Sequence, residues 1–208
     1  MSLEPAYPFL ILNNMACTLT RGRKEPCKDV VGGLKNVYFV DFGGLGTVTQ
    51  DGTTDQITNL TGDSSNNLTA YKYELKGNSS FEQTITSSRE NGTTFFDQTL
   101  NITFKKLSKE DNGEIKLLAY ARPHIAIEDY NGNVFMMGLE HGADVTGGTI
   151  VTGAAMGDLS GYTLTFNAQE LKPANFMASD TVDADFPFSV TDFAGLSGTI
   201  TITEGTNS

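Results

Sequence analysis

His124, His141, Cys17 and Cys27 are the chain's complete set of imidazoles and thiols. Together they carry the atom types of a tetrahedral zinc centre, but none of the paired short spacings by which a zinc module is recognised. His124 lies in an apolar run, in phase with Ala126 and Glu128, and reads as a packing or surface residue. Two cysteines can pair, yet two in a chain of 208 residues do not make a disulfide framework. Asp180, Asp183 and Asp185 resemble the start of a calcium loop, without the glycine and terminal glutamate of an EF-hand, and read as a charged loop. Leu159-Ser160-Gly161 lacks the leading glycine of a nucleophile elbow. Gly43-Gly44-Leu45-Gly46 runs into Thr-Val-Thr rather than a helix, so it is a turn and not a phosphate cradle. Carboxylate pairs for glycoside chemistry cannot be singled out in a chain this acidic. The reading is of a protein that is not an enzyme, with no catalytic residue, cofactor or metal site.

The elements around these residues are mostly strands. Tyr130-Asn131-Gly132-Asn133 lies between the apolar runs Ile125–Ile127 and Val134–Met137. Asn-Gly in that setting predicts a β-hairpin with a type I′ turn, in which Asn131 and Gly132 both take positive φ. From Gly161 to Gln169 the chain alternates, Tyr162, Leu164, Phe166 and Ala168 on one face and Thr163, Thr165, Asn167 and Gln169 on the other, as a half-buried strand does. Tyr71, Tyr73 and Leu75 alternate in the same way, as do Phe81, Gln83 and Ile85. A further set is Phe96, Leu100, Ile102 and Phe104, which follows a second Asn-Gly at Asn91-Gly92. Val37–Phe42 reads as an apolar strand buried on both faces or covering an interface. A short strand is expected around Asp55–Leu60 in the polar 43–67 stretch, another near Phe186–Val190, and Thr199–Thr203 closes the chain as a strand.

One helix is expected, over Leu107–Arg122. Ser108 caps it, Glu110 and Asp111 fill an acidic first turn, Ile115, Leu118, Ala119 and Arg122 recur at helical spacing, and Pro123 ends it. The fold class that follows is mainly β: a β-sandwich or split barrel with one flanking α-helix at about 107–122. Residues 1–14 read as an N-terminal arm or leader, with Met15 as an alternative start, and 15–208 as a single β-rich domain.

The formal charge is −11 and unevenly spread: residues 123–208 hold Lys172 against eleven acidic groups. Such a segment repels phosphates, which argues against specific nucleic-acid binding. No apolar run is long enough to span a bilayer, so no membrane partner is expected.

The passages MACTLTRGRKEPCKDVVGGLKNVYFVDF and NGNVFMMGLEHGADVTGGTIVTGAAMGDLSGYTLTFNAQELKPANF resemble virion structural proteins of tailed bacteriophages, in particular tail proteins. The resemblance implies a tail tube subunit, assembled in the bacterial host cytoplasm and residing in the virion tail. Such subunits form stacked, hexameric rings whose strands line a channel with an acidic lumen, through which DNA passes without specific binding. Partners would be further copies of the chain and other tail or neck proteins. On that reading the first candidates for the subunit interface are Val37, Tyr38, Phe39, Val40 and Phe42, with Ile125, Ile127, Val134, Phe135 and Met136 of the hairpin turning at Asn131 and Gly132. The 43–67 stretch is then expected to be an extended loop reaching a neighbouring ring. A capsid decoration or head–tail connector protein is the alternative within the virion. A secreted β-sandwich module binding glycan or calcium is the alternative of another class.

Overall fold

The computed structural model describes residues 22–25, 27–62, 68–178 and 200–205. The chain divides into two units, Met1–Val30 and Val31–Ser208. In the first, the described residues form neither helix nor strand, and Cys27 is exposed. The expected boundary after residue 14, Cys17 and the expected strand near Phe186–Val190 lie outside the described residues.

The second unit is built around β1 (Leu34–Val40), which is apolar at successive positions because both its faces are covered. It pairs antiparallel with β4 (Leu68–Glu74) on one side and β7 (His124–Asp129) on the other. With β8 (Val134–Met137), β11 (Asn175–Phe176) and β12 (Ile200–Glu204) these make a six-stranded sheet in the order β11-β8-β7-β1-β4-β12. The last pair, β12 with β4, is parallel.

A second sheet of four strands packs against one face of the first. Its order is β5 (Ser80–Ser88), β6 (Thr93–Lys105), β10 (Gly161–Glu170) and β9 (Asp144–Val151), all neighbours antiparallel. Between the sheets lies the larger core, where Val37, Phe39, Ile125 and Ile127 meet Leu100, Ile102, Tyr162, Leu164 and Phe166. Period-two alternation in β6 and β10 therefore translates directly into one buried and one solvated face. Gly161 permits the closest approach in this sheet: a Cβ there would stand 2.0 Å from the carbonyl oxygen of Phe104.

The other face of the six-stranded sheet is covered by the hairpin of β2 (Leu45–Gln50) and β3 (Ile57–Gly62). Ile57 and Leu60 are buried there with Tyr38, Val40, Ala126, Val134 and Met136. This corrects the expectation of an extended loop over 43–67. The described part folds back as a third layer because the sheet's second face is apolar and needs covering.

The helix, α1 (Lys109–Tyr120), flanks the sandwich and contributes Ile115 and Leu118 to the larger core. Ser108 is its cap, its Oγ accepting from the Asp111 amide at 2.9 Å. The fold is thus a β-sandwich-like arrangement with one flanking helix, as its strand alternation predicts.

The 129–133 hairpin forms with a different turn. Gly132 has φ +82°, whereas Asn131 is not among the residues of positive φ, so the turn is not type I′. The Gly132 amide donates to the Asp129 carbonyl and the Asp129 amide to the Asn133 carbonyl, which is a three-residue loop closed by a left-handed glycine. The Asp129 carboxylate selects it, accepting from the amides of Asn131 and Asn133, both at 2.8 Å, and from both their side chains. Burial alone would push that carboxyl up, but the hydrogen bonds outweigh it and hold the group below its ordinary value.

Candidate functional site

Two features of the second unit stand out as places where the molecule can do something: the polar face and edges of the four-stranded sheet, and the cluster of chemistry-bearing side chains beside it.

The outward face of the four-stranded sheet carries Glu82, Thr84 and Thr86 from β5. Asp97, Thr99, Asn101 and Thr103 come from β6, Thr163, Thr165 and Asn167 from β10, and Gly147 and Thr149 from β9, all set side by side by the strand register. Short polar side chains bond across the strands: Thr165 Oγ1 donates to Asn101 Oδ1 at 2.8 Å, the Thr149 and Thr163 hydroxyls lie 2.7 Å apart, and Asn167 donates to Asp97. The face is largely polar and mildly acidic, with Phe95 and Val151 as its apolar members. Glu82, Asp97 and Asp144 stand on it, with Lys105 as the opposing charge.

The two edges of this sheet are long, nine residues in β5 and eight in β9, and among the described residues no strand pairs with their outer sides. Neither edge contains the lysine or proline with which isolated sheets commonly discourage pairing. β9 does carry an irregularity, between its partners Thr165 and Phe166 on β10. Each edge also exposes one large apolar side chain on its core-facing side, Ile85 at 65 % and Ile150 at 58 %. The six-stranded sheet, in contrast, ends in short strands of two and five residues.

The sequence-derived interface residues do not lie on these edges. Val37, Tyr38, Phe39, Val40, Ile125, Ile127, Val134 and Met136 are all buried within the subunit's own two cores. Their strands β1, β7 and β8 are internal to the sheet, so none of them forms its edge. Within the subunit this set is covered intramolecularly, as an apolar run in a chain with three layers can be. Phe135 is half-buried, its ring tilted against those of Phe81 and Phe176. Phe42, beyond the end of β1, is the one exposed member at 53 %, stacked on His124 with Arg122 over its ring. Asn131 and Gly132 form the turn as described, and Asn131 also exchanges two hydrogen bonds with the Val31 main chain.

The buried polar groups are mostly structural. Glu128, at the end of β7, accepts from Lys35 at 2.7 Å, Asn36 at 2.6 Å and Tyr38 at 3.2 Å. Burial, with the Glu128 charge adding to it, raises the Tyr38 phenol well above its ordinary value. Burial likewise pushes the Tyr73 phenol up to about 12. His124 is buried, its Nδ1 2.7 Å from the Gly138 carbonyl oxygen and its Nε2 facing the Gly43 amide at 3.4 Å. That pair of contacts fits one neutral tautomer, the proton on Nδ1, and burial holds the imidazole below its ordinary pKa. His124 is a packing residue, as its phase in the strand suggests.

His141 sits elsewhere, in the turn between β8 and β9, where Glu140, His141 and Glu170 place one ligand atom each within 4.8 Å of one another. Glu170, the last residue of β10, is 4 % exposed. Its Oε1 accepts from the Glu140 and His141 amides at 3.0 and 2.9 Å, and its Oε2 lies 3.0 Å from His141 Nδ1. Glu140 and Glu170 also line a shallow cleft with Gln50, Gln98 and Lys172. The cluster has no signature in the sequence, because Glu170 is remote from the 140–141 pair in the chain. A His with a preceding Glu was the single local signal.

Much of the acidic third is engaged internally: Glu128 and Glu170 are buried, and Asp129 and Asp158 bond turn amides. Asp180, Asp183 and Asp185 lie outside the described residues. Among the described residues no helix is long and apolar enough to cross a membrane. Comparison with known proteins returns no match to a family model, a curated protein or a solved structure.

Proposed function

We propose that this chain is a structural, self-assembling subunit of a tailed-phage virion, and that its assembly unit is the four-stranded sheet acting as a tail tube segment. The observation that carries the reading is the sheet's pair of long edge strands, whose outer sides pair with no other strand among the described residues. Its strands alternate in direction through β5, β6, β10 and β9, so the two edge strands run oppositely. When identical subunits in the same orientation stand side by side, β5 of one meets β9 of the next as an antiparallel pair. Each contact is then head-to-tail, and a rotation that closes gives a ring. Ring closure removes both edges and covers Ile85 and Ile150.

The sheet's outward face then becomes the channel wall. Short threonines and asparagines with three carboxylates and one lysine offer little to a passing phosphate backbone, so DNA slides without adhesion. The resemblance of the 15–42 and 131–176 passages to phage tail proteins supports the same reading. The purified full chain should be examined by negative-stain microscopy with light scattering on the same sample. Rings or stacked tubes with a central channel are the expected result. A monomer that persists at high concentration and with preformed tail components refutes tube assembly. Binding of that monomer to capsids would instead favour the decoration reading.

A further inference from the structure

We propose that Glu140, His141 and Glu170 form a binding site for one divalent transition-metal ion of the zinc class. The three side chains offer one imidazole nitrogen and two carboxylate oxygens within 4.8 Å. A nitrogen in the set selects zinc, nickel or copper over magnesium and calcium, which prefer all-oxygen sites.

The site is pre-organised by the main chain. Glu170 is a buried carboxylate on the rigid β10, and one of its oxygens is fixed by the amides of the very residues that carry the other two ligands. The hydrogen bonds that orient Glu170 therefore also fix the backbone that carries Glu140 and His141, and His141 Nδ1 lies at its second oxygen. Hydrogen bonding of a ligating carboxylate in this manner is the usual support of a metal site. With metal–ligand bonds of about 2.0–2.2 Å, the 3.0 Å between His141 Nδ1 and Glu170 Oε2 needs to widen by only about 0.4 Å to span a tetrahedral angle. The His141 side chain, 55 % exposed, is free to make that adjustment.

The ion takes the bare Nδ1 of the tautomer that carries its proton on Nε2, so a proton resting on Nδ1 passes to solvent or shifts to Nε2 on binding. Three protein ligands leave the remaining positions to water. The nearby cation is Lys172, in the same cleft, and its ammonium group is held by Gln50 at 3.2 Å and Asp55 at 3.1 Å.

The test is calorimetric titration of the metal-free full chain with zinc chloride, paralleled by cobalt(II) absorption spectroscopy. The expected result is one ion per chain, nitrogen–oxygen coordination without thiolate charge transfer, and a melting temperature that climbs with zinc but not with calcium. His141→Gln and Glu140→Gln should each weaken binding at least about tenfold while retaining the wild-type circular dichroism spectrum. Both residues are exposed, so the variants keep the fold, whereas Glu170→Gln would also loosen the turn. Absence of saturable binding below roughly 1 mM zinc overturns the proposal. So does binding that survives both variants, or that disappears on Cys17→Ser with Cys27→Ser.

Discussion

Replacing Ile85 by lysine separates the stability of the subunit from its assembly. Ile85 is 65 % exposed on the core-facing side of edge strand β5. Burying an isoleucine side chain completely contributes about 1.5–3 kcal/mol, so covering what is exposed here contributes ~1–2 kcal/mol at each seam. That corresponds to roughly a 5- to 30-fold change in the association constant per contact, and the loss recurs at every seam of a ring. A lysine removes this gain and adds the cost of desolvating an ammonium group, so ring formation should fail at concentrations where the wild type assembles. The isolated subunit should hardly notice. An exposed edge position tolerates such a change within about 1 kcal/mol, a fall of about 2–4 °C in melting temperature for a chain of this size. Ile150→Lys on β9 should behave in the same way. Light scattering across a concentration series reads assembly, and thermal melting of dilute monomer reads stability. Wild-type rings from both variants would refute a β5–β9 seam. A much larger fall in melting temperature would contradict the exposed placement of these side chains.

Three further outcomes follow from the fold. Gly132→Val should cost about 1–2 kcal/mol, because a β-branched residue resists φ +82° although its Cβ meets nothing within 4 Å; Gly132→Asn should cost less, and denaturant melts compare them. Gly161→Ala should be the harsher change, since the added methyl collides with the Phe104 carbonyl between β6 and β10. A variant as stable as the wild type would disprove that close approach. His124 titrates below its ordinary value in the fold, so the unfolded chain binds the extra proton first. Its contribution is complete above about pH 6.5 and is lost as pH falls through the lower folded value. Melting temperatures from pH 8 to pH 5 should therefore drop more for the wild type than for His124→Gln.

Period-two alternation in β6 and β10, the Ser108 cap and the Pro123 stop were legible in the sequence, because strand and helix periodicity record which face each residue presents to a core. The hairpin at 129–133 was legible as well. Its turn type was not, because the Asp129 carboxylate decides it by gathering four local hydrogen bonds that outcompete the Asn-Gly preference. What β1 and β7 bury against was decided by tertiary structure alone. An apolar run reads the same whether a neighbouring subunit or the chain's own β2–β3 hairpin covers it, and only the folded arrangement distinguishes the two. The placement of β5 and β9 at the edges of their sheet was likewise invisible, since strand order in a sheet follows from packing between distant segments rather than from any local pattern. For the same reason Glu170 met Glu140 and His141 only through the fold. Composition announced an acidic surface, and the structure moved Glu128 and Glu170 inside, where amides, side-chain donors and a lysine offset the loss of water.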